Sequence, residues 1–328
     1  SMERLESGIR RFVKTPEQQE LEWNRILSRT VRKKRSSRKM LWMRYAALFI
    51  LPLLVGGIVY LSWDSTREVK SEKTSSRIVP GASMAELVLP DGTKVMLDRE
   101  MNRALEEGVR NSGDTLNYTE VVSGGLQDSC EIYHTLRVPR GGEYTLVLAD
   151  GTTVYLNAES ELRFPKQFRG KKRKVYLTGE GYFDVQRNEK QPFIVEAQQV
   201  AIRVLGTSFG VRAYTREVNV LTTLVQGRGN VEADGQQVEL NPGQQADFNR
   251  ENDRLTVAEV DVEQYVGWKD GRLVFDNKPL EFILEELGRW YSFDVFYTNK
   301  ELKEIPYSLN IKKHEDIAHV LKFIERTG

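Results

Sequence analysis

An uncharged run over residues 45–63 limits what this chain can fold into more than any other feature of its sequence. It reads YAALFILPLLVGGIVYLSW, and the apolar stretch begins slightly earlier, at Leu41. About 20 such residues cross the hydrocarbon core of a bilayer as a helix. Amphipathic rings, which favour the headgroup region, lie near both ends, at Trp42, Tyr45, Tyr60 and Trp63. The sequence therefore predicts one transmembrane helix over residues 41–63.

A cleaved signal peptide is the main alternative interpretation of this run. Its apolar core would be shorter and closer to the N-terminus, and the following YLSWDSTRE contains no small-x-small cleavage site. No cysteine immediately follows the run, which argues against a lipoprotein anchor. A buried core helix would rarely be hydrophobic on every face. The spanning interpretation is therefore preferred.

A basic run before the span, RKKRSSRK at 32–39, sets the orientation. Lys and Arg beside a span are retained on the cytoplasmic side, so the N-terminus is expected inside and the C-terminal region in the periplasm of an inner membrane. A solvated or headgroup-binding patch is compatible with the same topology. The net charge of the whole chain is only +1, which argues against direct nucleic-acid binding. The topology determinants are Arg32, Lys33, Lys34, Arg35, Arg38 and Lys39.

The cytoplasmic tail is predicted to contain a helix with one apolar face. Thr15, Pro16 and Glu17 suit an N-cap, a first helical position and an acidic first turn. Apolar residues then recur at helical spacing, at Trp23, Ile26, Leu27 and Val31. Such a face needs a partner, and both a membrane surface and another protein fit it.

Two similar segments indicate a pair of β-hairpins beyond the span. LVLPDGTKVMLD at 87–98 and LVLADGTTVYLN at 146–157 share alternating apolar positions around an Asp-Gly pair. Asp91–Gly92 and Asp150–Gly151 are predicted to supply the positive φ of tight turns. Residues 102–131, between the two copies, are poorly patterned and are predicted to be partly loop.

Short β-branched and aromatic runs, separated by Gly, Pro, Asn and Asp, continue from 137 to 250. They predict an all-β domain, and a sandwich, a jelly roll and a solenoid remain open. The composition, 40% hydrophobic and 29% charged, is that of a globular protein with about two domains. The predicted organisation is a cytoplasmic tail (1–40), a span (41–63), a periplasmic linker (64–80), an all-β domain (81–266) and a small domain (267–328).

The pattern changes to α+β near Trp268. GRLVF suits a strand, and Asn277 and Pro279 open a helix with one apolar stripe from Leu280 to Trp290, which is expected to face a core. The strands FDVFYT and PYSLNI and a second helix follow, which predicts a βαβ-βα domain. A closing strand is absent, so the domain is expected to be truncated. The predicted fold class is mainly β with this small α+β domain.

The sequence contains little that suggests enzyme chemistry, and neither an enzyme nor a cofactor is predicted. His314 and His319 are five residues apart, a spacing that does not place both on one helix face for a metal. His134 and Cys130 lack an evident third catalytic group. The Gly227–Arg–Gly229 sequence lies between strands, which is typical of a turn and not of a phosphate loop.

A second basic run, KQFRGKKRKV at 166–175, surrounds Gly170. An exposed hairpin tip is the preferred interpretation, and contact with the cell wall or with anionic lipid is the alternative.

Several longer motifs together are distinctive. They are EYTLVLADGTTVYLNAESELRFP (143–165), RKVYLTGEGYFDV (173–185), PFIVEA (192–197), VLGTSFGVRAY (204–214), LTTLVQGRGNV, LNPGQQA and FDNKPLEFILEELGRWY (275–291). With the basic tail and the span, the chain resembles the FecR family of transmembrane anti-sigma regulators, particularly its Bacteroidetes-type members. Gly181 occupies a position where the family often has Ala, and the cytoplasmic tail is shorter than is usual.

The resemblance implies a signalling route across two membranes. The signalling domain of an outer-membrane TonB-dependent receptor would contact the periplasmic part, and the tail would bind an extracytoplasmic-function sigma factor. The small C-terminal domain would resemble the short N-terminal domain of secretins and TonB receptors. Site proteases that cut the anchor are a further implied partner. The alternative function is a membrane-anchored periplasmic module that binds glycan or attaches to the envelope.

Overall fold

The structure of the protein is a computed structural model that describes residues 78–121 and 131–327. The predicted tail helix, basic run, membrane span and most of the linker lie outside these ranges, as does Cys130. The described helices are α1 (Glu263–Val266), α2 (Leu280–Tyr291) and α3 (Ile317–Thr327), with short 3₁₀ helices at Gly267–Asp270 and Lys300–Glu304. No helix within these ranges has the length and apolarity needed to cross a membrane.

Twenty strands are described. They are β1 (Ala82–Val88), β2 (Lys94–Asp98), β3 (Asn102–Glu106), β4 (Val109–Ser112), β5 (Thr115–Asn117), β6 (Tyr133–Val138), β7 (Gly142–Val147), β8 (Thr153–Leu156), β9 (Ser160–Pro165), β10 (Arg173–Asp184), β11 (Phe193–Ala197), β12 (Val200–Val204), β13 (Ser208–Ala213), β14 (Asn219–Gln226), β15 (Gly229–Ala233), β16 (Gln236–Leu240), β17 (Gln244–Asn249), β18 (Arg254–Glu259), β19 (Arg272–Pro279) and β20 (Pro306–Lys312). The prediction of a mainly β chain is confirmed.

Strands β1 to β18 form two sheets that share β10. The first sheet has the order β2-β1-β6-β9-β10-β11-β12-β15-β16. The second has the order β3-β4-β5-β7-β8-β10-β13-β14-β17-β18. The first half of β10 pairs with β9 and β11, and the half from Gly179 onward pairs with β8 and β13. The two sheets are therefore continuous through β10, and the start of β1 in the first sheet also pairs with β7 in the second.

One hydrophobic core lies between the two sheets. Both contribute fully buried side chains, such as Leu136 and Phe164 from the first sheet and Phe209 and Phe248 from the second. Phe183 on β10 stacks on Phe209, with ring centroids 5.2 Å apart. Because alternate residues of a strand point to opposite faces, each sheet has a second, outer face.

The two Asp-Gly segments lie in the β1–β2 and β7–β8 hairpins. Gly92 and Gly151 both have a φ of 85°. Asp91 accepts hydrogen bonds from the backbone and hydroxyl of Thr93, and Asp150 does the same with Thr152. The turns therefore have the same local chemistry.

Residues 263–327, called the C-terminal segment here, have a second core. Strands β19 and β20 form an antiparallel pair, and α2 and α3 bury apolar faces against it. Tyr182 of β10 belongs to this second core, and Tyr155 and Val225 pack against it. The C-terminal segment thus covers the outer face of the second sheet around β8, β10 and β14, and the chain from Ile78 onward forms one compact unit. A domain boundary at residue 267 stays a prediction.

The region 102–131, predicted to be partly loop, contains β3, β4 and β5 over 102–117, and within the described residues its loop content is limited to the turns between these strands, 118–121 and Glu131. One prediction of secondary structure is wrong. FDVFYT (293–298) is not a strand, although its side chains alternate between half-buried and exposed. Within the described residues no strand pairs with it, so the order of the C-terminal segment after α1 is β-α-β-α.

Candidate functional site at the charged junction

Charged residues are buried where the C-terminal segment covers the second sheet. On β10, Phe183 points into the first core, whereas Glu180 and Tyr182 point outward and are still buried. On β13, Arg212 also points outward. We call the following set the charged junction: Glu143, Glu180, Arg212, Glu217, Glu286, Arg289 and Lys313.

Arg212 is at the centre of the junction and its side chain is only 10% exposed. Its guanidinium donates to Glu217 at 2.6 Å and to Glu286 at 2.6 Å. Glu180 Oε1 lies 3.7 Å from Nη1. The three carboxylates come from β10, from the loop after β13, and from α2. Arg212 therefore joins the second sheet to the C-terminal segment.

Arg289 on α2 extends this network. It donates to Glu217 at 2.8 Å, forms an ion pair with Glu286, and lies 3.4 Å from Glu159. Its guanidinium is 4.1 Å from the ring centroid of Tyr214, which is a cation–π geometry. Glu286 and Arg289 of α2 thus have partners in the strands and loops of the two sheets as well as in each other.

Lys313, which follows β20, is the most completely buried basic group of the junction, with 1% of its side chain exposed. Its ammonium donates to Glu143 at 2.6 Å and to Asn157 Oδ1 at 3.2 Å, and lies 4.1 Å from the Trp290 ring centroid. The same Asn157 donates to Glu180 at 2.7 Å. Lys313 is therefore linked to Arg212 through the Asn157 amide and the Glu180 carboxylate.

Arg140, in the β6–β7 turn, forms a second attachment of the C-terminal segment. Its guanidinium donates to Gly288 O at 2.9 Å and to Asp294 at 2.6 Å, and also to Phe293 O. The neighbouring Gly141 N–H donates to Arg289 O at 2.7 Å. The end of α2 is thus held by backbone as well as side-chain contacts.

The junction shifts several pKa values. Burial raises the pKa of Glu180 to about 7, although Arg212 opposes that shift. Burial also acts to raise the pKa of Glu286, but Arg212 and Arg289 outweigh it and hold that pKa below its usual range. Burial lowers the pKa of Lys313, against the attraction of Glu143. The charged junction has four carboxyl groups and three basic groups, so a proton on Glu180 makes the whole set neutral.

Among the described residues, none of those predicted from the sequence belongs to this junction. Trp23, Ile26, Leu27, Val31 and the topology determinants fall outside the described residues. Asp91 lies at an exposed turn, whereas Asp150 pairs at 2.6 Å with Arg173, whose side chain is 1% exposed. The prediction that 166–175 is an exposed tip is therefore wrong for Arg173, because its guanidinium is needed to fix the Asp150 turn.

His134 is buried and its Nδ1 is hydrogen-bonded to the Tyr118 hydroxyl at 2.7 Å. Burial lowers its pKa. Within the described residues, no group of three or more His, Cys, Asp or Glu side chains is placed to hold a metal.

Sequence reasoning missed the charged junction. Two signals were present: Glu180 lies between two glycines in VYLTGEGYFDV, and Arg212 lies between Val211 and Ala213 in VLGTSFGVRAY. A charge at either position is unusual in a strand that is otherwise largely apolar. The pairing with α2 gave no local signal, because Arg212 and Glu286 are 74 residues apart.

Comparison with known protein families matches two parts of the chain, one within the two sheets and one within the C-terminal segment. Residues 134–232 match the family described as FecR protein, and residues 272–328 match the one described as FecR, C-terminal. Most junction residues lie within these ranges, among them Glu180 and Arg212 in the first and Glu286 and Lys313 in the second. No curated protein matches the sequence.

Two crystal structures of a candidate anti-sigma factor from Parabacteroides distasonis ATCC 8503 are similar to this chain. The one at 1.65 Å resolution is 27% identical with a TM-score of 0.55, and the match covers 59% of this chain and 91% of that chain. The one at 2.50 Å resolution is 27% identical with a TM-score of 0.53, and the match covers 60% and 91%. Together with the two family matches, these similarities support the identification of the chain as a FecR-family anti-sigma factor.

Proposed function

We propose that this chain is a single-pass inner-membrane anti-sigma factor that binds an extracytoplasmic-function sigma factor through its cytoplasmic tail. The observation that carries the proposal is the match to both FecR families in one chain that also has an uncharged run at 45–63 behind a basic segment. The described residues would then be periplasmic. Their signal would come from an outer-membrane TonB-dependent receptor.

The tail supplies the proposed sigma-factor contact. Trp23, Ile26, Leu27 and Val31 would form the apolar face of a short helix, and such faces bind grooves on partner proteins. The basic residues from Arg32 to Lys39 would keep that helix on the cytoplasmic side.

The span constrains how a signal could reach the tail. A lone transmembrane helix is free to rotate and slide in lipid, so it transmits small conformational changes poorly. Receptor binding that exposes a cleavage site for a protease, or that repositions the span, is the simpler route. Release of the sigma factor by a chain whose span cannot be cut would rule out the proteolytic route.

Co-purification tests the central claim. The full chain would be co-expressed with the sigma factor encoded beside it and captured from detergent extracts. We expect the sigma factor to be retained by the wild type and lost with Trp23→Asp/Ile26→Asp. Phe296→Ala is the control, because Phe296 is a large apolar side chain that is 90% exposed in the described part of the chain.

The outcomes separate two failures. If the wild type retains no sigma factor, the anti-sigma proposal is wrong for this chain. If the double variant retains it as well as Phe296→Ala does, the binding is supported but the assigned tail face is wrong. A periplasmic reporter fused after residue 328 should be active, and an inactive one would contradict the topology.

A further inference from the structure

The outer face of the first sheet contains an open cleft of about 250 Å³ on β12, β15 and β16. Arg203 is opposite Asn230 across the β12–β15 pair, and Asn230 is opposite Glu239 across the β15–β16 pair. These three residues therefore form a row across neighbouring strands, on the face away from the core. Leu205 and Arg228 line the cleft beside them.

The cleft has positive charge that the protein does not neutralise. Arg203 is exposed and, within the described residues, has no ion pair or side-chain hydrogen bond. Arg228 is 3.7 Å from Glu239, and both are largely exposed, so this pair is weak. On the same face, Lys174 is paired with Glu196 at 2.5 Å and Arg137 with Glu161 at 2.7 Å. Arg203 differs from these two basic residues because its charge remains available to an anion.

The cleft also has hydrogen-bond acceptors that need donors. Asn230 Oδ1 is buried and accepts no hydrogen bond, an arrangement that normally costs stability. The Glu239 carboxylate is a second acceptor on the same row. Leu205, 44% exposed, adds an apolar surface. A matching ligand would carry a carboxylate, hydroxyl donors and a C–H face.

We propose that this cleft binds an acidic saccharide of the uronate class. Its carboxylate would pair with Arg203 and Arg228, and its hydroxyls would donate to Asn230 Oδ1 and Glu239. An acidic peptide fits less well, because the N–H donors of an extended peptide pair with the edge of a sheet, whereas Asn230 lies on an interior strand. A phosphate group lacks the array of hydroxyl donors. The site is on the sheet opposite the charged junction and does not depend on the sigma-factor proposal.

Calorimetric titration of the full chain in detergent with trigalacturonate tests the proposal. We expect saturable binding that weakens about tenfold or more with Arg203→Ala, because a hydrogen bond to a charged group is removed. Arg254→Ala is the matched control, since it removes the same charge from the exposed strand β18 of the other sheet. Asn230→Ala should also weaken binding.

Two comparison ligands identify which chemistry is recognised. The methyl ester of trigalacturonate keeps the ring hydroxyls without the charge, and tetraglutamate keeps the charge without the hydroxyls. Both should bind at least about tenfold more weakly than trigalacturonate. The proposal is overturned by no binding of trigalacturonate, by equal binding of either comparison ligand, or by Arg203→Ala and Arg254→Ala having the same affinity.

Discussion

At the scale of single residues, Arg212 determines whether the charges of the junction are compatible with burial. It donates to Glu217 and Glu286 and lies close to Glu180, and its own side chain is 10% exposed. Taking such groups out of water is costly, so each depends on the others. Removing one partner leaves the remaining charges buried without compensation.

Arg212→Ala should lower the free energy of unfolding by about 3–5 kcal/mol, the usual cost of breaking a buried ion pair from one side. Arg187→Ala is the control, because Arg187 and its partner Glu189 are 78% and 64% exposed. It should cost less than about 1 kcal/mol. Urea unfolding followed by circular dichroism measures both, and equal losses would contradict the role given to Arg212.

Glu180 makes the stability depend on pH in an unusual direction. Its pKa is about 7 in the folded protein against 4.5 for an ordinary glutamate, so the folded state holds an extra proton between these values. The free energy of unfolding therefore falls as pH rises from about 4.5 to about 7. Glu180→Gln abolishes this loss, because its amide cannot ionise.

The free energy of unfolding of Glu180→Gln, measured relative to that of the wild type, should increase as pH rises from 5 to 8, by an amount on the order of 3 kcal/mol. Unfolding curves at several pH values give this difference directly. A difference that stays constant across the range would show that Glu180 is ionised in the folded protein at every pH.

At the scale of elements, β10 is the strand that joins the two sheets. It changes sheet at Gly179, whose φ is 95°. A Cβ at this position would lie 2.5 Å from Ser160 Oγ and 2.7 Å from Ser160 Cα. Both the backbone conformation and the close approach of β9 therefore require glycine.

Gly179→Ala should cost about 3 kcal/mol or more, because backbone strain and a steric clash combine. Gly92→Ala separates the two causes: its φ is 85°, but no atom lies within 4 Å of the added Cβ. That variant should cost only about 1–2 kcal/mol. Thermal unfolding of both variants tests the comparison, and a Gly179→Ala loss no larger than that of Gly92→Ala would exclude the clash.

Sequence patterns predicted the elements whose buried faces are apolar. The hairpins around Asp91 and Asp150 and helices α2 and α3 were recognisable for this reason. Strand β4 was not, because Asn111 takes one of its inward positions, where it is hydrogen-bonded to Tyr144 and Met101. A polar residue that is satisfied by distant partners breaks the alternation on which prediction depends.

The prediction for residues 293–298 was wrong for the opposite reason. Their side chains alternate as those of a strand do, because Phe293 packs against the second core while Asp294 points outward and pairs with Arg140. Alternation reports which side chains are covered, whereas a strand also needs a neighbour for its backbone groups. Residue patterns alone do not contain that information, just as they did not connect Arg212 with α2.

At the scale of the whole molecule, the centre of the second sheet is buried on both faces. Its inner face lies on the first core, and Tyr182, Tyr155 and Val225 on its outer face pack with the C-terminal segment. Separating the two parts would expose this apolar surface and the charged junction together. We therefore expect residues 78–327 to unfold in one cooperative transition.

Hydrogen exchange measured by mass spectrometry tests this cooperativity on the full chain. The backbone amides of α2 and of β13 should exchange with the same opening free energy, whereas those of β18, at the edge of the second sheet, should exchange earlier. Exchange of α2 well before β13 would instead favour an independent domain that begins near residue 267.

The contacts of Arg212 also bear on how sequences of this family can change. Its carboxylate partners come from β10, from the loop before β14 and from α2, which belong to segments matched by two separate families. Arg212, Glu217 and Glu286 cannot be lost singly without leaving an uncompensated charge in the interior, whereas Glu180 holds a proton there. In an alignment of relatives the positions of Arg212, Glu217 and Glu286 should therefore be kept or replaced as a group, as expected if the two sheets and the C-terminal segment evolved as one unit.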